Sequence, residues 1–183
     1  MNTTADSNLT KSALAAAMKE LMEQMPFSKI SVSDIAEQCG MNRKSFYYHF
    51  KDKYDLVNWI FYTDFIILAS SSSYTDGWDL LQAVVELFYR DQSFYICALE
   101  IDGQNSFREY FYESTEPIFN LFTSAIGDVD GMGPLDNHYV VDIFLVIIYR
   151  WLKEGCVMGP EKFTTYLRHV MILVGKKLTE GSL

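Results

Sequence analysis

Cysteine is scarce in this chain: Cys39, Cys97 and Cys156 are far apart and odd in number among 183 residues. No Cys-x-x-Cys occurs, so neither a disulfide framework nor a thiolate metal site is expected, and a reducing cytoplasm suits the pattern. The three histidines, His49, His138 and His169, are isolated, so no metal site is expected. No glycine-rich phosphate loop is present; GDVDGMG at 127–133 lacks both the strand context and the glycine spacing. Asp102, Glu109, Glu113 and Glu116 crowd one region but read as a solvated acidic helix face. Neither an enzyme nor a cofactor is therefore expected. Long apolar runs are also missing. The longest, VVDIFLVIIYRWL at 140–152, contains Asp142 and Arg150 and falls short of the roughly 20 residues a bilayer requires. MNTTADSNL has no basic patch and no apolar run, so no signal peptide is expected and the location is read as cytoplasmic, away from membranes.

What is abundant is apolar and aromatic material, 49% and 15% of the chain, against 21% charged residues. That composition rules out disorder for most of the chain and exceeds what a small soluble monomer needs. The surplus points to a pocket or a subunit interface. Charge is uneven as well. The formal charge of -9 lies entirely in residues 56–183, while 1–55 are neutral. Within 42–53, Arg43, Lys44, Lys51 and Lys53 face one acid, Asp52. Screening limits what a phosphate feels to about 10 Å, so this local basic balance outweighs the acidic whole.

The periodicity predicts an all-α fold. Leu14, Ala17, Met18, Leu21, Met22 and Met25 recur at helical spacing, with Asn8 or Thr10 as cap and Pro26 as the stop. Phe27 and Ile30 fall in a connector, and Ile30-Ser31-Val32 hints at extended chain. Ser31, with Asp34 three residues on, opens a second helix as a partial capping box, and Gly40 suits the left-handed position that ends it. Asn42 caps a third helix through Arg43 to His49 or Phe50. Further helices are expected from near Asp52 to Ala69, over 78–90, 93–101, 104–123, 137–154 and 160–179. Pro117 should kink or split the sixth of this series counted from Ser31, and 71–77 and 127–136 are loops.

Two short helices joined by a few residues containing glycine form a helix-turn-helix pattern, whose second helix lies in a DNA major groove. Phe46 and Phe50, at i and i+4, are expected in a small core with Ile35, Ala36 and Leu14. The opposite face then carries Arg43, Lys44, Tyr47 and Tyr48. Arg43 and Lys44 can donate to guanine O6 and N7, and Tyr48 joins them as a base-reading candidate. Ser45, Tyr47, His49 and Lys53 offer donors to the sugar-phosphate wall. A single such unit binds weakly, so a homodimer is expected, with two recognition helices about 34–36 Å apart. Ile143, Ile147, Phe163, Leu167, Val170 and Val174, on the last two helices, are the interface candidates. Trp59, Phe65, Phe88, Phe107, Phe111 and Tyr149 either line an effector cavity for an apolar or planar ligand or form a solid aromatic core.

The stretch FSKISVSDIAEQCGMNRKSFYYHFKDKYDL at 27–56 resembles the TetR/AcrR family of bacterial regulators. Val32, Asp34, Ile35, Ala36, Gly40, Phe46, Tyr47, His49, Phe50, Lys53 and Leu56 match its pattern; Cys39 stands where alanine is usual and Asn42 where serine is. The resemblance implies an all-helical dimer of about nine helices. In it, 1–52 form the helix-turn-helix DNA-binding domain and 53–183 the helical effector-binding and dimerisation domain. It also implies phosphate contacts at Ser45, Tyr47, His49 and Lys53, with Arg43 and Lys44 at the groove. NRKSFYYHFKDKYDLVNWIF, with WLKEG at 151–155, is similar to a narrower branch that includes regulators encoded near dihydroxyacetone kinase genes, some controlled by a partner protein. The expected function is a sequence-specific transcriptional regulator, repressor or activator, whose affinity for a double-stranded operator is changed by a small effector or a regulatory protein. The competing reading is a helical adaptor that docks proteins on its acidic C-terminal body and has little specific DNA binding.

Overall fold

The computed structural model describes residues 4–71, 74, 76–103, 106–124 and 137–179. Nine α-helices and one 3-10 turn make up the regular structure among them, with no strand. The chain divides into two compact units, Met1–Ile67 with Gln92–Glu116, and Leu68–Asp91 with Pro117–Leu183.

The first unit begins with α1 (Thr4–Gln24). This helix starts earlier than expected, and the Thr10 hydroxyl donates to Asp6 O inside it rather than capping it. Pro26 ends the run, and Phe27–Lys29 wind into a 3-10 turn that the spacing of apolar residues does not signal. Extended backbone at Ile30 and Ser31 leads into α2 (Val32–Gln38). Here the capping box is complete: Asp34 N donates to Ser31 Oγ at 3.2 Å and Ser31 N to Asp34 Oδ2 at 2.8 Å. Aspartate is short for this role, yet it reaches. The paired hydrogen bonds to Ser31 hold the Asp34 carboxyl below its ordinary pKa. Gly40, at φ 68°, turns the chain sharply, and Met41 N closes back on Ala36 O at 2.7 Å. Only glycine takes that backbone without strain, so the turn between α2 and α3 (Arg43–His49) is built on it.

The same unit holds α4 (Lys53–Ser71) as far as Ile67, α6 (Gln92–Leu99) and α7 (Phe107–Ser124) as far as Glu116. Leu14, Met18, Ile30, Ile35, Phe46, Leu56, Phe61, Tyr95 and Phe107 are its most deeply buried large side chains. Each such apolar side chain contributes about 1.5–3 kcal/mol by leaving water. α6 is tied to α1 by Cys97 Sγ, which donates to Met22 O at 3.4 Å. Lys19 bridges Asp64 at 3.3 Å and lies 5.4 Å from the Phe94 ring centre. α7 runs through Pro117 as one helix and is not split there.

In the second unit, Asp76 caps α5 (Gly77–Arg90) by accepting from Trp78 N at 2.8 Å and Asp79 N at 3.0 Å. α5 packs against α9 (Pro160–Thr179), and α8 (Asn137–Lys153) supplies Phe144 to the edge of Trp78. Trp151 stacks on Phe163 at 4.3 Å and its Nε1 donates to Met158 O at 2.8 Å. This fastens the α8–α9 turn, where Gly155 and Cys156 take φ 79° and 52°. The loop predicted at 127–136 and part of that at 71–77 lie outside the described residues.

Candidate nucleic-acid interface

The recognition element is set by its cap. Asn42 Oδ1 accepts from Ser45 N at 3.0 Å and from Ser45 Oγ at 3.3 Å, satisfying a free amide of the first turn of α3. A seven-residue helix has little stability of its own, so this cap and the buried face decide whether it forms. The buried face is Phe46, fully enclosed, followed by Phe50 at the end of the helix. Their rings lie 5.8 Å apart, and Phe50 meets Trp59 of α4 at 5.6 Å. Lys11 of α1 sits over both Phe50 and Trp59, at 5.8 and 5.6 Å.

With that side anchored, the outer face follows from the helical repeat. Arg43, Lys44, Tyr47 and Tyr48 are exposed, Tyr48 at 73%. Arg43 lies over the Tyr47 ring at 5.9 Å, and Tyr48 sets its ring edge-to-face with His49 at 4.9 Å. Ser45 and His49 are half-buried. Burial, then the neighbouring Lys11 charge, lowers the His49 pKa below its usual value, so the imidazole is neutral at neutral pH. A groove of about 410 Å³ runs along this face, lined by Thr10, Met41, Asn42, Lys44, Ser45, Tyr48 and His49. Thr10 and Met41 join it without having been candidates: Thr10 is brought there by the packing of α1 on α3, and Met41 directly precedes the Asn42 cap.

Lys53, expected to point at phosphate, sits differently. Its ammonium donates to Phe27 O at 2.7 Å and to Ile30 O at 2.8 Å, and lies 4.2 Å from the Phe27 ring centre. Burial lowers its pKa. Behind this helix start, Lys51, Asp52, Asp55, Asn58, Trp59 and Tyr110 line a cleft of about 360 Å³. Burial raises the Tyr110 pKa there.

The aromatic candidates fall in two places. Phe65, Phe107 and Phe111 are buried in the first unit and pack on Phe61 at 5.3, 5.4 and 5.1 Å, a closed cluster of rings. Trp59 is half-buried in that unit, while Phe88 is fully buried and Tyr149 half-buried in the second. The interface candidates also separate. Ile143 is 50% exposed, but Phe163 and Leu167 are only 6% and 5% exposed, facing the interior of their own unit. Ile147 and Val170 are intermediate, and the Val174 side chain lies outside those described. Among the described residues, the exposed large apolar side chains of α8 and α9 are Tyr139, Ile143, Val146, Tyr166, Met171, Ile172 and Leu173. Among the described residues no His, Cys, Asp and Glu group could hold a metal, and no helix is long and apolar enough to cross a membrane.

A capped two-turn helix with an apolar back, a cationic and aromatic front and a tight glycine turn before it has the geometry of the helix-turn-helix of DNA-binding proteins. Residues 13–60 match the bacterial regulatory proteins of the tetR family, and residues 77–172 match a transcriptional regulator C-terminal region. The chain belongs to the TetR family of bacterial regulators. It is 32% identical over 176 residues to the HTH-type dhaKLM operon transcriptional activator DhaS of Lactococcus lactis subsp. lactis (strain IL1403), spanning 93% of this chain and 91% of that one. Its fold is similar to the solved dihydroxyacetone kinase operon activator DhaS, at TM-score 0.63 and 24% identity over 90% of this chain and 94% of that one. It is similar too to NalD, the secondary repressor of the MexAB-OprM multidrug efflux pump in Pseudomonas aeruginosa, at TM-score 0.66 and 20% identity over 91% and 96%.

Proposed function

We propose that the chain acts as a homodimer that sets two copies of α3 in successive major grooves of a double-stranded operator, with residues 1–52 binding DNA and 53–183 pairing the subunits and receiving the signal. The observation that carries this reading is the division of α3: Phe46 buried, Arg43, Lys44, Tyr47 and Tyr48 exposed. Arg43, Lys44 and Tyr48 read base edges, while Ser45, Tyr47 and His49 hold the backbone. The exposed apolar side chains Tyr139, Ile143, Val146, Tyr166, Ile172 and Leu173 support a pairing surface on α8 and α9.

The 32% identical relative is named an activator of an operon, which favours activation of a target operon over repression. Closed packing of Phe65, Phe107 and Phe111 on Phe61 favours a protein partner, or a ligand that enters elsewhere, over a planar effector among those rings. Selection of bound fragments from genomic DNA tests the whole proposal. The expected result is enrichment of one two-fold symmetric site with half-sites one helical turn or a multiple apart, and transcription from it that rises with the protein. Uniform recovery of fragments would leave the adaptor reading.

A further inference from the structure

We propose that Lys11 of α1 binds the same backbone phosphate as His49, so that the DNA-binding face extends from α3 onto the first helix. This rests on the DNA-binding function of the chain. Lys11 precedes residues 13–60, the stretch that matches the tetR family. It stands three residues before Leu14, which is fully buried, and is itself half-buried at the rim of the core. Its ammonium lies 5.8 Å from the centre of the Phe50 ring and 5.6 Å from that of Trp59. Both distances are near the outer reach of a cation–π contact, about 6 Å. The rings steady the apolar stem but take none of the ammonium's N–H donors in a hydrogen bond. Among the described residues no carboxylate pairs with Lys11, whereas Lys19, Arg90, Arg150 and Arg168 each meet an aspartate or glutamate. A chain of charge -9 has acids to spare, so this is a place where a cation is left for an anion from outside.

The neighbours of Lys11 are phosphate candidates. His49 immediately precedes Phe50, over which the ammonium lies, and the Lys11 charge is felt at the imidazole, where it adds to burial in lowering the pKa. Thr10, the residue before Lys11, lines the groove together with Asn42, Lys44, Ser45 and His49. α1 packs on α3, so this arrangement belongs to one unit of the fold. A phosphate at the His49 ring would cancel the penalty that Lys11 places on the imidazolium and give the ammonium its missing anion. Because Phe50 and Trp59 already hold the stem, less rotamer freedom is lost on contact than for a lysine free in solvent.

Wild type, K11M and K11R are compared on a labelled duplex of random sequence, since a phosphate contact needs no particular base. Wild-type binding tests the DNA-binding reading by itself; a wild type without measurable affinity would overturn that reading and the inference with it. For each phosphate neutralised, log K falls with log salt with a slope of about 0.9. K11M keeps an apolar stem on the two rings. It is expected to flatten the slope by about 0.9 per protomer and to bind roughly tenfold more weakly per protomer at about 0.1 M salt. K11R is expected to keep both slope and affinity. An unchanged slope in K11M overturns the inference and leaves Lys11 as a brace for Phe50 and Trp59. Acetylation of the wild type by acetic anhydride, read by mass spectrometry with and without the duplex, needs no variant to fold. An anion at the ammonium leaves less of the reactive free amine, so Lys11 is expected to react roughly tenfold more slowly on the duplex. Lys162, exposed on α9, should react at an unchanged rate. Equal reactivity of Lys11 on and off the duplex overturns the inference.

Discussion

The guanidinium of Arg43 lies over the ring of Tyr47 one helical turn further on, 5.9 Å from its centre. The contact keeps the long arginine along the exposed face of α3. Such an arrangement limits the rotamer freedom lost on meeting a base edge. Arg43→Ala is expected to relax sequence choice by about 1–3 kcal/mol at the base pairs it reads, and Tyr47→Phe, which keeps the ring, should retain that choice while weakening all sites alike. Competition binding with a panel of single-base variants of the selected site distinguishes the two effects. Equal discrimination in wild type and Arg43→Ala would remove arginine from the reading role.

Asn42 deserves a stability test separate from DNA. Asn42→Ala strips both hydrogen bonds to Ser45 and should cost about 1 kcal/mol, whereas Asn42→Ser or Asn42→Asp should stay near wild type. Chemical denaturation of the free protein measures this. An alanine variant as stable as wild type would show that Phe46 and Phe50 alone fix α3.

His49 gives the pH dependence. Burial depresses its folded pKa, so between that value and about 6.5 the unfolded chain binds the proton more readily. The resulting stability is complete above about pH 6.5 and is lost as pH falls through the folded value. His49→Gln should flatten the decline in melting temperature between about pH 7 and 5. A DNA phosphate at the same ring favours the imidazolium, so binding takes up protons: affinity should rise on mild acidification in wild type and stay level in the variant.

The fold was legible where local chemistry is self-sufficient. Ser31, Asp34, Gly40 and Asn42 announce the ends of α2 and α3 because caps and left-handed turns are settled within four residues. The front and back of α3 followed from a single helical repeat. What escaped depends on chain far away in sequence. Nothing near Lys53 in the sequence announces that its ammonium donates to Ile30 O and Phe27 O, 23 and 26 residues earlier in the chain. Phe163 and Leu167 carry the same stripe as an interface, and only the neighbouring Trp151 and α5 show that this stripe faces inward. Pro117 breaks the hydrogen-bond pattern by one donor, yet α7 tolerates it.

That inward and outward division of α9 makes two classes of substitution predictable. Phe163→Ala removes the partner stacked on Trp151 and should lower folding stability by about 3–5 kcal/mol. Tyr166→Glu with Leu173→Glu, both on the exposed side, should leave each protomer folded and shift sedimentation towards the monomer. A double variant that sediments as wild type would place the pairing surface elsewhere.

Cys156 holds φ 52°, a left-handed backbone unfavourable for a side chain, directly after Gly155 at 79°. Cys156→Gly should raise stability by about 1 kcal/mol, visible as a higher melting temperature without change in DNA affinity. A fall would mean that the half-buried thiol contributes more than the backbone loses.

The stack of Trp151 on Phe163, latched by the indole to Met158 O, is completed inside one polypeptide. Its closure is therefore a first-order event, as fast in a dilute solution as in a crowded one, whereas coupling of two chains is second-order. Refolding should resolve into an early phase that ignores protein concentration, followed by a later one proportional to it. On the proposed pairing, newly made chains in a cell would then reach a compact state singly before meeting a second copy.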